Sequence, residues 1–181
     1  MKIVLSSLES PLGAMLLATD EQHRVRALEF AERRSRLHRT LREQYGACEL
    51  TDGPAPATVV AALQRYFAGE LESLAIVEVA PAGTDLQQRA WAALRRIPAG
   101  QTTTYGKLGT SAGITDWRAA MDSGAAVGAN PIAIIVPCHR VLGTNGDLKG
   151  FAWGLHRKRW LLEHELAIEV LPAVPQTAPL F

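Results

Sequence analysis

Five consecutive apolar residues, Ile132 to Val136, stand between Pro131 and Pro137. A run without polar alternation fits a strand buried on both faces, and the chain must fold so as to enclose it. Its 181 residues, 48% of them hydrophobic, suffice for such a core, which excludes disorder throughout. Charged residues make up 20%, and no uncharged stretch of spanning length is free of Pro and Gly, so a transmembrane helix is not expected. Met1 to Thr19 carries Glu9 and Pro11 where an export signal needs apolar continuity, so the expected location is cytoplasmic. Cys48 and Cys138, the only cysteines, lack CxxC spacing, which leaves no disulfide framework and no cysteine-based zinc site. Two free thiols are expected.

The first half reads as a small α/β unit. Strands are expected at 1–5, 14–18 and 25–30, broken by Ser10, Pro11 and Gly13 and arranged as an antiparallel meander. Helices are expected over 32–45 and 59–67, then a short strand over 76–79 and a linker at 80–84. The second half changes character. Helices are predicted over 86–96, from Tyr105 to Gly113 after the caps at 102–104, and from a cap at Thr115 or Asp116 to about Gly128. The last two form a helix-turn-helix candidate. A loop over 143–150 precedes a final helix at 155–165. The expected division is 1–80, 81–170 and a disordered tail over 171–181. Net charge is +1, but residues 86–165 hold ten Lys and Arg against five Asp and Glu. That bias suits either a nucleic acid surface or a solvated basic face.

Pro137-Cys138-His139-Arg140-Val141 places a thiol, an imidazole and a guanidinium in succession. Neighbouring cations or a paired His lower a thiol pKa, so this order suits an activated nucleophile with more thiolate near neutrality. Adjacency alone equally fits a buried structural Cys beside a satisfied His.

That pentapeptide, with Asn130-Pro131 and the apolar run before it, resembles the active-site signature of the O6-alkylguanine-DNA alkyltransferases. Further similarity lies in Gly83-Thr84-Asp85-Leu86-Gln87-Gln88-Arg89-Ala90-Trp91, Ile97-Pro98-Ala99-Gly100, Thr104-Tyr105-Gly106 and Arg157-Lys158-Arg159-Trp160-Leu161-Leu162-Glu163-His164-Glu165. The first half matches loosely, at Ser10-Pro11-Leu12-Gly13 and Tyr66-Phe67-Ala68-Gly69.

The resemblance implies an α/β protein in which a ribonuclease H-like unit precedes a winged helix-turn-helix-type domain carrying the reactive cysteine. It implies single-turnover transfer of an alkyl group from O6 of a flipped-out guanine in double-stranded DNA to Cys138. His139 would take the thiol proton through a water, Glu165 would hold the imidazole, Tyr105 would donate to the base and Asn130 would brace the turn. Val127, Val141, Phe151, Ala152 and Trp153, with Tyr105, would line the pocket, and the bulk of Trp153 would favour methyl over benzyl-sized adducts. Arg118, Ala119, Ala120, Met121 and Arg140 would face the minor groove. No metal or organic cofactor and no membrane partner is implied, and a monomer is expected.

One position departs from the family pattern. Nine residues before Asn130, where the family carries an Arg that fills the vacated base stack, this chain has Met121. Met121 as an apolar wedge, Arg118 reaching the gap, and weakened DNA binding are the alternatives. Asp122 adds phosphate repulsion and sits where it could pair with Arg118. A lesion sensor that does not transfer, a transcription regulator and a cysteine hydrolase are the rival functions.

Overall fold

The computed structural model describes residues 1–168, so the tail over 171–181 lies outside the described residues. Strands β1 (Lys2–Leu8), β2 (Met15–Asp20) and β3 (Val25–Phe30) form the antiparallel meander. Every residue of β2 is buried, because it lies inside the sheet with both faces covered. Met15 and Leu17 join one apolar cluster while Leu16 and Ala18 join another, as a period of two requires. Leu37 and Leu41 of α1 (Arg34–Tyr45) cover one face, one helical turn apart. The helix is preceded by a 3-10 turn over Ala31–Arg33. Val59, Ala62, Leu63 and Tyr66 of α2 (Ala57–Phe67) belong to the other cluster.

Two features of this unit differ from expectation. A fourth strand, β4 (Glu49–Asp52), pairs parallel to β1 at the sheet edge. All four of its residues are exposed, so no hydrophobic alternation announces it. The strand expected over 76–79 is a 3-10 turn at Ser73–Ile76 followed by a single bridge from Val79 to Val25.

In the second unit, α3 (Asp85–Arg95) starts at a capping box in which Thr84 and Gln87 bond reciprocally. Strand β5 (Thr103–Thr104) leads into α4 (Tyr105–Ser111), with the Thr104 side chain accepting from the Lys107 N–H. Helix α5 (Ala119–Gly128) begins later than predicted, because Thr115 and Asp116 do not cap it. Asp116 Oδ1 instead accepts from the Arg118 N–H at 2.9 Å and closes a turn before the helix. Helices α4 and α5 approach so closely that a Cβ on Gly109 would stand 2.7 Å from Ala119 O, which reserves this position for glycine. A short strand β6 (Val141–Leu142) runs parallel to β5, and α6 (Leu155–His164) closes the described chain.

The apolar run is fully buried but is not a strand. Ile132 makes one bridge to Leu28, and the backbone then turns through Ile134 at φ 66°. Its polar groups are satisfied without a ladder: the Leu28 N–H donates to Pro131 O, the Ala133 N–H to Leu28 O, and the Arg95 guanidinium to Ile135 O. Hydrophobicity here reports burial and not backbone conformation. The same cluster takes in Leu17, Phe30, Trp91, Ile132 and Leu161, so both halves share one core.

Candidate active site

The turn after the apolar run delivers Cys138 to the first position of a 3-10 turn, Cys138–Arg140, rather than to a strand end. Asn130 builds this approach. Its Oδ1 accepts from the Ile132 N–H at 2.9 Å, and its Nδ2 donates to Val136 O at 2.9 Å and to Cys138 Sγ at 3.2 Å. One buried amide thus braces both ends of the turn and the sulfur.

Burial pushes the Cys138 thiol up to about 11, against the Asn130 hydrogen bond and the charges of Lys158 and Arg36. The sequence neighbours His139 and Arg140, whose order suited more thiolate near neutrality, are not among the groups that lower it. Desolvation of a residue that is only 2% exposed outweighs the neighbouring cations, so the nucleophile is stored neutral.

His139 is fully buried, and its Nε2 lies 2.8 Å from Glu165 Oε1. A carboxylate partner fixes the proton on Nε2 and leaves Nδ1 as the basic nitrogen. Nδ1 has no hydrogen-bond partner among the described residues. Burial holds the imidazole below its ordinary value, with Arg140 and Lys158 adding to the effect and Glu165 opposing it. It is therefore neutral near pH 7 and able to take a proton.

Glu165 sits one residue beyond α6 and collects four bonds. Oε1 accepts from His139, from Arg140 Nη2 at 2.8 Å and from Tyr66 Oη at 2.7 Å, while Oε2 accepts from Arg140 Nε at 2.9 Å. Burial alone would raise this carboxyl. The hydrogen bonds and charges of His139 and Arg140 override it and hold Glu165 well below the usual carboxylate range. Arg140, expected on the DNA face, turns inward to make this fork and also donates to Ile97 O. A buried carboxylate demands a geometrically matched cation, and a guanidinium supplies it.

Tyr105 opens α4 half-buried. Burial and the nearby Cys138 raise its phenol above the ordinary value, so it stays a donor. Val127 and Val141 are buried, whereas Phe151 and Ala152 keep some exposed surface. Trp153 is 1% exposed, packs edge-on against Phe151 and donates Nε1–H to Glu29. An indole held in the core this way presents almost no surface of its own to an adduct.

On α5, Ala119 is half-buried against α4, while Ala120 and Met121 are exposed. Arg118 makes no ion pair with Asp122 among the described residues; its guanidinium lies over the Trp117 ring at 4.9 Å.

Three participants carried no role in the sequence reading. Tyr66 reaches Glu165 from the other unit, although its Tyr-Phe-Ala-Gly segment was the only hint. Lys158 is fully buried, and its ammonium donates to Val141 O, Leu148 O and Gly150 O, tying the loop after the active-site turn to α6. Arg36 pairs with Glu29 at 2.6 Å and donates to Gly128 O and Asn130 O, which links the first unit to the end of α5. A positive charge inside an apolar helix face, as at Lys158, is the signal that could have found such a residue.

Comparison with known proteins gives a consistent picture. A family model described as 6-O-methylguanine DNA methyltransferase, ribonuclease-like domain, matches residues 3–81, and the DNA binding domain of the same family matches residues 85–167. The methylated-DNA-protein-cysteine methyltransferase of Salmonella typhimurium is 42% identical over 167 residues, covering 91% of this chain and 96% of the relative. The protein of that name from Mycobacterium bovis is 43% identical over 161 residues, covering 88% of this chain and 90% of the relative. Among solved structures, Mycobacterium tuberculosis OGT in complex with DNA superposes with a TM-score of 0.74 at 38% identity, over 91% of this chain and 93% of that one.

Proposed function

The chain belongs to the 6-O-methylguanine DNA methyltransferase family, and from that premise we infer how its own residues carry out direct-reversal repair of O6-methylguanine in DNA. The protein is a stoichiometric methyltransferase, and Cys138 is the acceptor. The lesion base leaves the stack at a cost of a few kcal/mol and enters beside Tyr105. The thiol proton passes through a water to His139 Nδ1, whose imidazolium is stabilised by Glu165. The Cys138 sulfur then attacks the methyl carbon in line: the S–C bond forms, the C–O6 bond breaks, and the electron pair moves into the guanine ring. The Tyr105 hydroxyl donates toward that developing charge. The methyl thioether cannot return its carbon, so each molecule acts once.

The observation that carries this reading is the Glu165–His139 bond at 2.8 Å, with His139 Nδ1 unpartnered among the described residues and the buried Cys138 next to it in the chain. A base one residue from a stored thiol, and within a water's reach of it, makes the nucleophile when the lesion is in place. A sensor that bound lesions without transfer would need neither the buried base nor its orienting acid. The division of labour we assign is that residues 1–80 brace, through Tyr66 and Arg36, while the segment that follows carries the chemistry. Two free thiols and a DNA substrate support action in the cytoplasm.

Intact mass measured after mixing the protein with a duplex containing O6-methylguanine tests the assignment. One added methyl per chain, absent in Cys138→Ala, is the expected result. An unchanged mass with tight lesion binding would favour the sensor, and repeated turnover on esters would favour a hydrolase.

A further inference from the structure

Trp117 is 82% exposed and Met121 is 63% exposed. Trp91 and Trp153 are buried, and Trp160 is stacked on His164, so Trp117 stands apart from the other tryptophans. It lies in the turn before α5, four residues ahead of Met121. From Met121, the spacings of three and seven continue the same helix stripe through Gly124 and Gly128. A Cβ built on Gly124 would stand 3.8 Å from the Tyr105 ring, so the stripe leads from the exposed pair to the tyrosine that opens α4. The opposite face of α5, with Ser123, Ala126 and Val127, is buried.

This surface is shaped for nucleic acid. Ala120, Ala125 and Gly128 are exposed and small, which allows a backbone to approach. The Arg118 guanidinium lies over the indole at 4.9 Å, so a cationic group sits against the apolar pair. An indole presented to water gains by stacking on a base, and a Met beside it is among the side chains that part base steps.

Resting on the methyl-transfer reading, we propose that Trp117 and Met121 together form the wedge that holds the duplex open. The indole stacks on the base pair laid bare when the lesion nucleotide leaves, and Met121 fills the space on the Tyr105 side. Arg118, held against the indole, reaches the adjoining phosphate. An apolar pair thereby takes on the gap-holding task otherwise met by a single long cation, and Trp117 becomes a positioning residue for the reaction.

Single-turnover methyl transfer by wild type, Trp117→Ala, Trp117→Phe and Met121→Ala, from a lesion duplex and from free O6-methylguanine, tests this. The free base needs no flipping, so it reports on Cys138 alone. Trp117→Ala should lose about tenfold more on the duplex than on the free base, the size of a lost base-aromatic stack. Trp117→Phe should recover most of that loss, and the tryptophan emission quenched by lesion duplex in wild type should not be quenched in Trp117→Ala. Unchanged duplex transfer in Trp117→Ala, equal loss on both substrates, or wild-type emission indifferent to the duplex each overturns the wedge. Wild-type protein that demethylates neither substrate overturns the transfer reading itself, a separate result.

Discussion

Tyr66, on a helix of the N-terminal unit, donates its hydroxyl hydrogen to Oε1 of Glu165 at 2.7 Å, ninety-nine residues along the chain. The acid that orients the catalytic imidazole is thus held in part by the unit without the nucleophile. Tyr66→Phe keeps the packing and removes one of four bonds to Glu165. The expected cost is about 1 kcal/mol of stability, read by denaturant unfolding, with transfer slowed severalfold in single-turnover assays. An unaltered transfer rate would show that the cross-unit bond serves stability alone.

Removing the acid is more damaging. Glu165→Ala leaves the Arg140 guanidinium buried without its fork and His139 without an orienter. Loss of one partner of a buried ion pair costs about 3–5 kcal/mol, and loss of general-base positioning costs about 10²–10⁴ in rate. Melting temperature and transfer rate should both fall, and Glu165→Gln should recover stability better than it recovers rate.

Acid should destabilise the protein in two steps. His139 and Glu165 both have folded values below their unfolded ones, so the folded state binds fewer protons than the unfolded chain at either group. Their contribution is complete above about pH 6.5, begins to be lost as His139 can charge on unfolding, and falls further below about pH 4.3 where Glu165 can protonate. Unfolding midpoints should hold from pH 8 to about 6.5 and decline from there to pH 3. A His139→Gln variant should lack the upper step.

Cys138 should resist ordinary thiol reagents. Its thiol is pushed up to about 11 by burial, while Cys48 is partly exposed. Iodoacetamide at neutral pH followed by peptide mapping should label Cys48 first and leave Cys138 largely free until the fold is disrupted. Preferential labelling of Cys138 would mean a resting thiolate.

Trp153 should matter to stability and not to adduct size. Its indole is in the core and bonded to Glu29, so Trp153→Ala should cost about 3–5 kcal/mol. Trp153→Phe should leave the ratio of methyl to benzyl transfer within about twofold of wild type, since the pocket surface comes from its neighbours. A large change in that ratio would return Trp153 to the pocket wall.

Elements with strong periodicity and clear punctuation were legible in the chain itself. The three-strand meander, the helices after Pro56 and Thr84, and the buried state of the run from Ile132 to Val136 follow from alternation, capping residues and continuous hydrophobicity. The exposed edge strand at Glu49 was not legible, since its charged residues carry no alternation, and pairing with β1 is a long-range event. The turn at Ile134 was equally hidden, because the backbone around it is satisfied by Leu28 and Arg95, which only the folded chain brings near.

Chemical type belongs to the sequence: a sulfur, an imidazole and a carboxylate occur in a recognisable order, and no folding could supply them if they were absent. Protonation state and direction belong to the packing. Whether Cys138 rests as thiol or thiolate, and whether Arg140 faces DNA or Glu165, depends on how far each group is removed from water and which partner meets it there. Those are sums over neighbours from distant segments, and short-range spacing along a chain holds no record of them.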